Sequence, residues 1–306
     1  TLYPLPPYLS SFSLIERYLH LTPVTPTTFT NTNALFHPPG ARGIYGGEII
    51  GQSIVAAAST VPEGFWLHSI HAYFVLAGDA KIPITYEVVN VRTGRSFATR
   101  QVKVQQMGEV IFLLMASFQK PVAEGRRESG SVAEWQVEMP DKTLSTVSTA
   151  IIHLKRRLDR DPFEWRKLQS SAYPTSQPYS ERKVRFWVRA RKPLLPQAES
   201  GIPHVQLGAL AYFTDSWFID TMGMVNRAAG WENLKMLVSL DHVVYFHVGG
   251  ETRVDRGGKD GGWLLVEMDA QWVGEERGVV TQRVWRGGDG RLIATCVQEG
   301  LVRLKE

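Results

Sequence analysis

One order of elements occurs twice in this chain: an apolar helix rich in small residues, with strand-like runs after it. In the first occurrence Tyr45-Gly46-Gly47 opens the stretch 48–59, where Ile49, Ile50, Ser53, Ile54, Ala57 and Ala58 make a helical stripe. Four strand-like runs follow at 65–77, 82–93, 95–106 and 109–119, with Gly78-Asp79, Thr93-Gly94 and Met107-Gly108 at the links. The second occurrence has a strand at 183–191, a helix from about 206 to 225, and strands near 236–247, 262–272, 277–287 and 290–303. Small residues let a helix lie close to a sheet, and hairpin-length links make successive strands antiparallel neighbours. Each occurrence therefore predicts an α+β unit in which an antiparallel sheet wraps one long helix.

The chain has 306 residues, which suits two units of about 100–150 residues. We place them at 1–120 and 181–306, with a connector over 121–180. Ahead of the first helix, Leu14–Leu19 is a short helix candidate and 28–36 a strand candidate. Within the connector, Glu124–Ser131 is polar, Thr143–Leu158 can form an amphipathic helix, and Gln169–Ser180 is rich in Ser, Tyr and Pro. The two units end alike, on Ala116-Ser-Phe-Gln119 and Thr295-Cys-Val-Gln298. Taking His71 and His242 as matching points makes Gln119 the counterpart of Gln298, as a duplication would.

With 43% hydrophobic and 21% charged residues the chain has the composition of a globular protein with a sizeable core. No apolar run approaches the roughly 20 residues that span a bilayer. The first residues, Thr1-Leu-Tyr-Pro-Leu-Pro-Pro7, lack the layout of a secretory signal, and the final Leu-Lys-Glu is not a Ser-Lys-Leu type address. A single cysteine, Cys296, fits a reducing compartment, cytosol or peroxisome. An excess of 34 Lys and Arg over 30 Asp and Glu is too slight to imply nucleic acid, though it suits a phosphorylated ligand. In the run 183–191 alternation puts Lys183, Arg185, Trp187, Arg189 and Arg191 on one face, readable as a solvated sheet face or as a phosphate-steering surface.

Three polar residues interrupt apolar elements of the second unit. Asp215 falls one to two turns into the helix, where it is either a solvent-side residue or a carboxylate that needs hydrogen bonds. Ser239 lies in Met236-Leu-Val-Ser-Leu-Asp241-His242, and alternation places it with Asp241 and opposite His242. Gln298 shares a face with Leu292, Ala294 and Cys296 by the same rule. Each is ordinary alone. Together a carboxylate, a hydroxyl and a carboxamide can hold one water, with Asp215 accepting its proton while Ser239 and Gln298 orient it. The N–H groups of Gly46 and Gly47, at a helix start, suit a developing oxyanion. His71, Lys183, Arg185 and Arg189 are further candidates for touching substrate.

Other constellations fare worse. His68 and His71 are three apart, so strand alternation sends them to opposite faces and away from a shared metal. Gly51-Gln-Ser53-Ile-Val55 lacks the last glycine of a nucleophile elbow. Cys296 has no base beside it and reads as a buried structural thiol. No Walker loop or dinucleotide fingerprint is present.

Several stretches together resemble the acyl-CoA thioesterase II family. They are Gly46-Gly-Glu-Ile-Ile-Gly-Gln52, Val61-Pro-Glu with His68-Ser-Ile-His71-Ala-Tyr-Phe74, Gly94-Arg-Ser-Phe-Ala-Thr-Arg100, and Ala116-Ser-Phe-Gln119. Asp161-Pro-Phe-Glu-Trp-Arg166, Leu240-Asp-His242 and Val297-Gln-Glu-Gly300 continue the likeness, in order, to about residue 303. The resemblance implies a double hotdog fold and hydrolysis of acyl-CoA by water without a covalent intermediate. The catalytic set Asp–Ser/Thr–Gln would be carried by Asp215, Ser239 and Gln298, with no metal or organic cofactor. It leaves open a thioesterase acting on an acyl carrier protein, a non-catalytic acyl-CoA binding module, and assembly as a homodimer or higher oligomer. Two departures stand out. Glu48 replaces the glutamine usual after the paired glycines, and Val248-Gly-Gly-Glu-Thr-Arg253 replaces a customary Arg-Pro-Phe.

Overall fold

The structure is a computed structural model that describes residues 11–140, 160–168, 176–226, 233–255 and 261–305. The helix expected over 143–158 lies outside the described residues. In the first half the elements are α1 (Leu14–Leu19), β1 (Leu21–Thr25), β2 (Thr28–Asn31), α2 (Gly46–Ala58), β3 (Trp66–Phe74), β4 (Thr85–Thr93), β5 (Phe97–Gln106) and β6 (Glu109–Gln119). A short helix α3 (Glu124–Glu128) and strand β7 (Phe163–Lys167) lie between the halves. The second half holds β8 (Lys183–Ala190), α4 (Gln197–Ser200), α5 (Val205–Thr214), α6 (Thr221–Val225), β9 (Leu234–Ser239), β10 (Asp241–Phe246), β11 (Leu264–Gly274), β12 (Arg277–Arg286) and β13 (Leu292–Leu304).

All strands join one 13-stranded sheet in the order β1-β2-β4-β5-β6-β3-β10-β13-β12-β11-β8-β7, with β9 beside β13. The two halves have the same internal order and meet where β3 pairs antiparallel with β10, for instance Ile70 with Val244. This is the double hotdog arrangement, each half wrapping its own helix. No helix among the described residues is long and apolar enough to cross a membrane.

The two long helices touch across the middle. A Cβ on Gly51 would lie 3.0 Å from the Gly208 carbonyl, and one on Gly47 only 2.2 Å from the Tyr212 carbonyl. The small residues along 46–58 thus let α2 and α5 run backbone to backbone. Around them Ile50, Ile54, Leu210, Phe213 and strand residues such as Ile70, Phe112 and Ala294 are buried in one continuous core. Each such large apolar side chain contributes roughly 1.5–3 kcal/mol.

Four details depart from the periodicity. The strand expected over 28–36 stops at Asn31, and the edge strands β1 and β7 were not anticipated. β1 carries Pro23, which an edge tolerates, and edge strands bury too little to show strong alternation. The helix expected over 206–225 breaks after Thr214, where Trp217 takes a left-handed backbone (φ 61°) before α6 starts. The strand expected over 236–247 is interrupted at Leu240.

Candidate active site

Asp215 is the C-cap of α5, not an interior helix residue. Its carboxylate serves α2 instead. That helix has no side-chain cap from its own N-cap residue, Tyr45, and the Gly47 N–H donates to Asp215 Oδ2 at 2.9 Å. The positive end of α2 therefore faces the carboxylate. From the other side Gln298 Nε2 donates to Asp215 Oδ1 at 2.9 Å. Burial pushes the Asp215 carboxyl above its ordinary range, and these two bonds partly offset the shift. Tyr45 ties the junction together, its hydroxyl lying 2.9 Å from the Tyr212 carbonyl and 2.7 Å from Ser216 Oγ.

Gly47 is thus committed to the aspartate, so the expectation that both glycine amides are open to an oxyanion fails at Gly47. Gly46, Asp215 and Ser239 line one cavity of about 530 Å³, together with Phe74, Leu237 and Leu301. Asp215 also borders a smaller cavity of about 120 Å³ walled by Phe36, Tyr45, Tyr212 and Trp217.

How Ser239 reaches this cavity depends on a bulge. Ser239 pairs with Gly300, whereas Val243 pairs with Val297, so the register slips by one residue between them. Leu240 N–H donates to the Glu299 carbonyl at 2.9 Å, and Asp241 Oδ1 accepts the Glu299 N–H at 2.6 Å, closing the irregularity. A bulge reverses the alternation beyond it. Ser239 consequently parts from Asp241 and shares the inner face with His242 and Gln298, the reverse of the sequence expectation. His242 is fully buried, with Nδ1 3.1 Å from Gln298 Nε2 and Nε2 3.0 Å from Thr214 Oγ1. Burial holds its ring neutral, with a pKa of about 3.

The same kind of slip occurs at His68, where Leu67 pairs with Phe118 but Ser69 with Ser117. His68 therefore bonds Ser117 Oγ at 2.8 Å, on the face that carries the exposed His71, and the expected separation of the two histidines fails. Even so, no cluster of metal ligands occurs among the described residues. A third slip, where Val284 pairs with Ala294 but Trp285 with Leu292, moves Leu292 off the Gln298 face and against Trp187, Leu265 and Trp285.

Aligning these slips overturns the matching of the two glutamines. The hairpin irregularities of β5–β6 and β12–β13, and those at His68 and Leu240, coincide only when Ala116 matches Gln298 and Gln119 matches Leu301. On that alignment Leu67 stands where Ser239 is, and Ile70 where His242 is. At the end of α2 only Ala58 and Ser59 stand near the position of Asp215.

The basic run on β8 is half-exposed and paired with carboxylates. Lys183 lies 2.8 Å from Glu267, Arg185 2.7 Å from Glu267 and Arg189 2.9 Å from Glu164. Trp187 is buried beside Leu265 and Trp285. His71 projects on the outer face, its ring 5.7 Å from that of Tyr245, away from the Asp215 cavity. Cys296 is fully buried, and burial raises its thiol pKa.

Fold and site thus define a double hotdog protein with one carboxylate–carboxamide centre at the junction of its halves. A family model described as the acyl-CoA thioesterase N-terminal domain matches residues 36–119, and one for the C-terminal domain matches residues 136–302. The chain is 33% identical over 306 residues to acyl-coenzyme A thioesterase 8 of Homo sapiens, spanning 95% of this chain and 89% of that protein. It is 25% identical over 344 residues to peroxisomal acyl-coenzyme A thioester hydrolase 1 of Saccharomyces cerevisiae, spanning 95% of each. Among solved structures, the acyl-CoA thioesterase II TesB2 of Mycobacterium marinum superposes with a TM-score of 0.73 at 27% identity, covering 95% of this chain and 98% of that one. The chain belongs to the acyl-CoA thioesterase II family of thioester hydrolases.

Proposed function

We propose that the chain hydrolyses acyl-CoA thioesters to a carboxylic acid and free CoA by direct attack of one water at Asp215. The observation that carries this reading is the Asp215 carboxylate, held between the Gly47 N–H and the Gln298 amide where the cavity also receives Ser239. Each carboxylate oxygen keeps a further lone pair. Asp215 takes a proton from water as the water oxygen bonds the thioester carbon, and the carbonyl oxygen gains charge near the Gly46 N–H at the helix start. Collapse of the tetrahedral intermediate breaks the C–S bond, and the proton passes from Asp215 to the leaving sulfur. The Ser239 hydroxyl positions the water.

Ser239 is not the nucleophile in this scheme. His242 shares its face, but both ring nitrogens already have partners, which leaves the serine without a histidine base. Rapid-quench mass spectrometry should find no acyl adduct on Ser239, and a thiol burst matched by such an adduct would refute direct attack.

The primary test is Asp215→Asn, which nearly keeps the shape and removes the proton acceptor. Turnover should fall about 10²–10⁴-fold with a much smaller change in acyl-CoA affinity. A variant retaining over half the turnover would exclude Asp215 as the base.

A further inference from the structure

We infer that His242 is a positioning residue that fixes the orientation of the Gln298 carboxamide and so keeps its N–H, not its carbonyl, against Asp215. The inference rests on the reading of Asp215 as the base.

A glutamine amide is nearly symmetric in shape, so its partners decide which end faces where. Gln298 Nε2 has two hydrogens. One goes to Asp215 Oδ1 at 2.9 Å and the other points at His242 Nδ1, 3.1 Å away. That second bond exists only if Nδ1 carries a lone pair, and the far side of the ring ensures it. Thr214 Oγ1 gives its proton to the Ala211 carbonyl at 2.9 Å, one turn back along α5, and therefore accepts from His242 Nε2–H at 3.0 Å. The tautomer is thus set from both ends, by Asp215 through Gln298 and by Ala211 through Thr214. The chain of bonds starts on α5, crosses β10 and β13, and returns to the residue that follows Thr214.

The ring is fully buried, so water cannot replace either partner. The reversed amide would set its one carbonyl oxygen against both the Asp215 carboxylate and the Nδ1 lone pair. In the observed orientation Gln298 Oε1 has no partner among the described residues and is buried, the one hydrogen-bonding group of this side chain left open. Gln298 can meet the reacting water only as an acceptor, a consequence of both N–H bonds being committed.

His242→Leu should lower turnover roughly ten- to hundredfold, the scale of one buried polar group left unpaired, with little change in KM. His242→Asn, whose side-chain oxygen lies near the place of Nδ1, should restore most of that loss. Thr214→Val keeps the shape but removes the acceptor that sets the tautomer. It should lower turnover in the wild-type background and not in His242→Asn. Ring ¹⁵N shifts of the intact enzyme should report His242 protonated on Nε2. An Nδ1-protonated ring overturns the inference, as does a His242→Leu variant with wild-type turnover. If Asp215→Asn also keeps wild-type turnover, the site reading itself has failed. If Asp215→Asn is inactive while His242→Leu is not, only the positioning role has failed.

Discussion

Asp215 combines two opposed influences: burial that favours its neutral form, and two N–H donors, one at a helix start, that favour its anion. Burial prevails, so the folded carboxyl titrates above the ordinary aspartate range, the direction that makes a carboxylate a better general base. The acid limb of kcat/KM against pH should accordingly lie above that range, because activity needs the deprotonated form and is lost as pH falls through the raised pKa. A limb at the ordinary aspartate position would contradict this account of the site. Glu48 is the second unusual carboxyl, fully buried with its Oε2 accepting the Phe36 N–H at 2.7 Å and a pKa pushed up to about 8. The folded state keeps its proton where the unfolded chain, near 4.5, has lost it. Its contribution to stability is complete below pH 4.5 and declines as pH rises towards 8, on the order of 3 kcal/mol by pH 7. Glu48→Gln should remove that decline, so urea unfolding at pH 5 and pH 8 should show the variant's advantage widening. An advantage that stays constant would mean Glu48 is ionised in the fold.

At the scale of elements, two devices assemble the site. One is the close crossing of α2 and α5, where Gly47 has no room for a Cβ because the obstacle is the Tyr212 backbone carbonyl. Gly47→Ala should push the helices apart, lower stability by about 1–3 kcal/mol and draw the Gly47 N–H from Asp215, lowering turnover too. Chemical denaturation and turnover measured together check this, and unchanged values for both would show that the crossing has slack. The other device is the bulge after Ser239. Without it Ser239 and His242 would face opposite ways, and either the proposed water site or the proposed support of Gln298 would be lost. Asp241 completes the bulge by accepting the Glu299 N–H, a task that explains a carboxylate within this strand pair.

Over the whole molecule, duplication supplies two helices and two half-sheets, yet in the proposed site one unit supplies the polar side chains and the other the helix start they face. The first half contributes the α2 start, with Gly46 and Gly47, and the second contributes Asp215, Ser239 and Gln298. The pseudo-equivalent place in the first half holds Leu67, Ala116 and Ile70, so no second centre can form there. Gln298→Ala should therefore impair turnover severely while Gln119→Ala leaves it near wild type. Similar losses from both variants, measured with one acyl-CoA, would point to two working centres.

The linear sequence by itself determined the main helices and central strands, because helical and strand periodicities are local and each repeated apolar face had to be buried. It did not determine the edge strands β1 and β7 or the breaks after Thr214 and at Leu240. The small residues over 46–58 announced the tight helix contact, and Asp215, Ser239 and Gln298 stood out as polar residues in apolar elements. Tertiary structure decided which polar residues meet. The bulges at Leu240 and His68 reverse alternation without a mark in the hydrophobic pattern, so His242 was assigned to the wrong face and Gln119 to the wrong partner. The Gly47 amide was taken by a carboxylate 168 residues away, and the cations of β8 found carboxylates on β7 and β11. Such pairings depend on register and on distant chain segments, which no local period encodes.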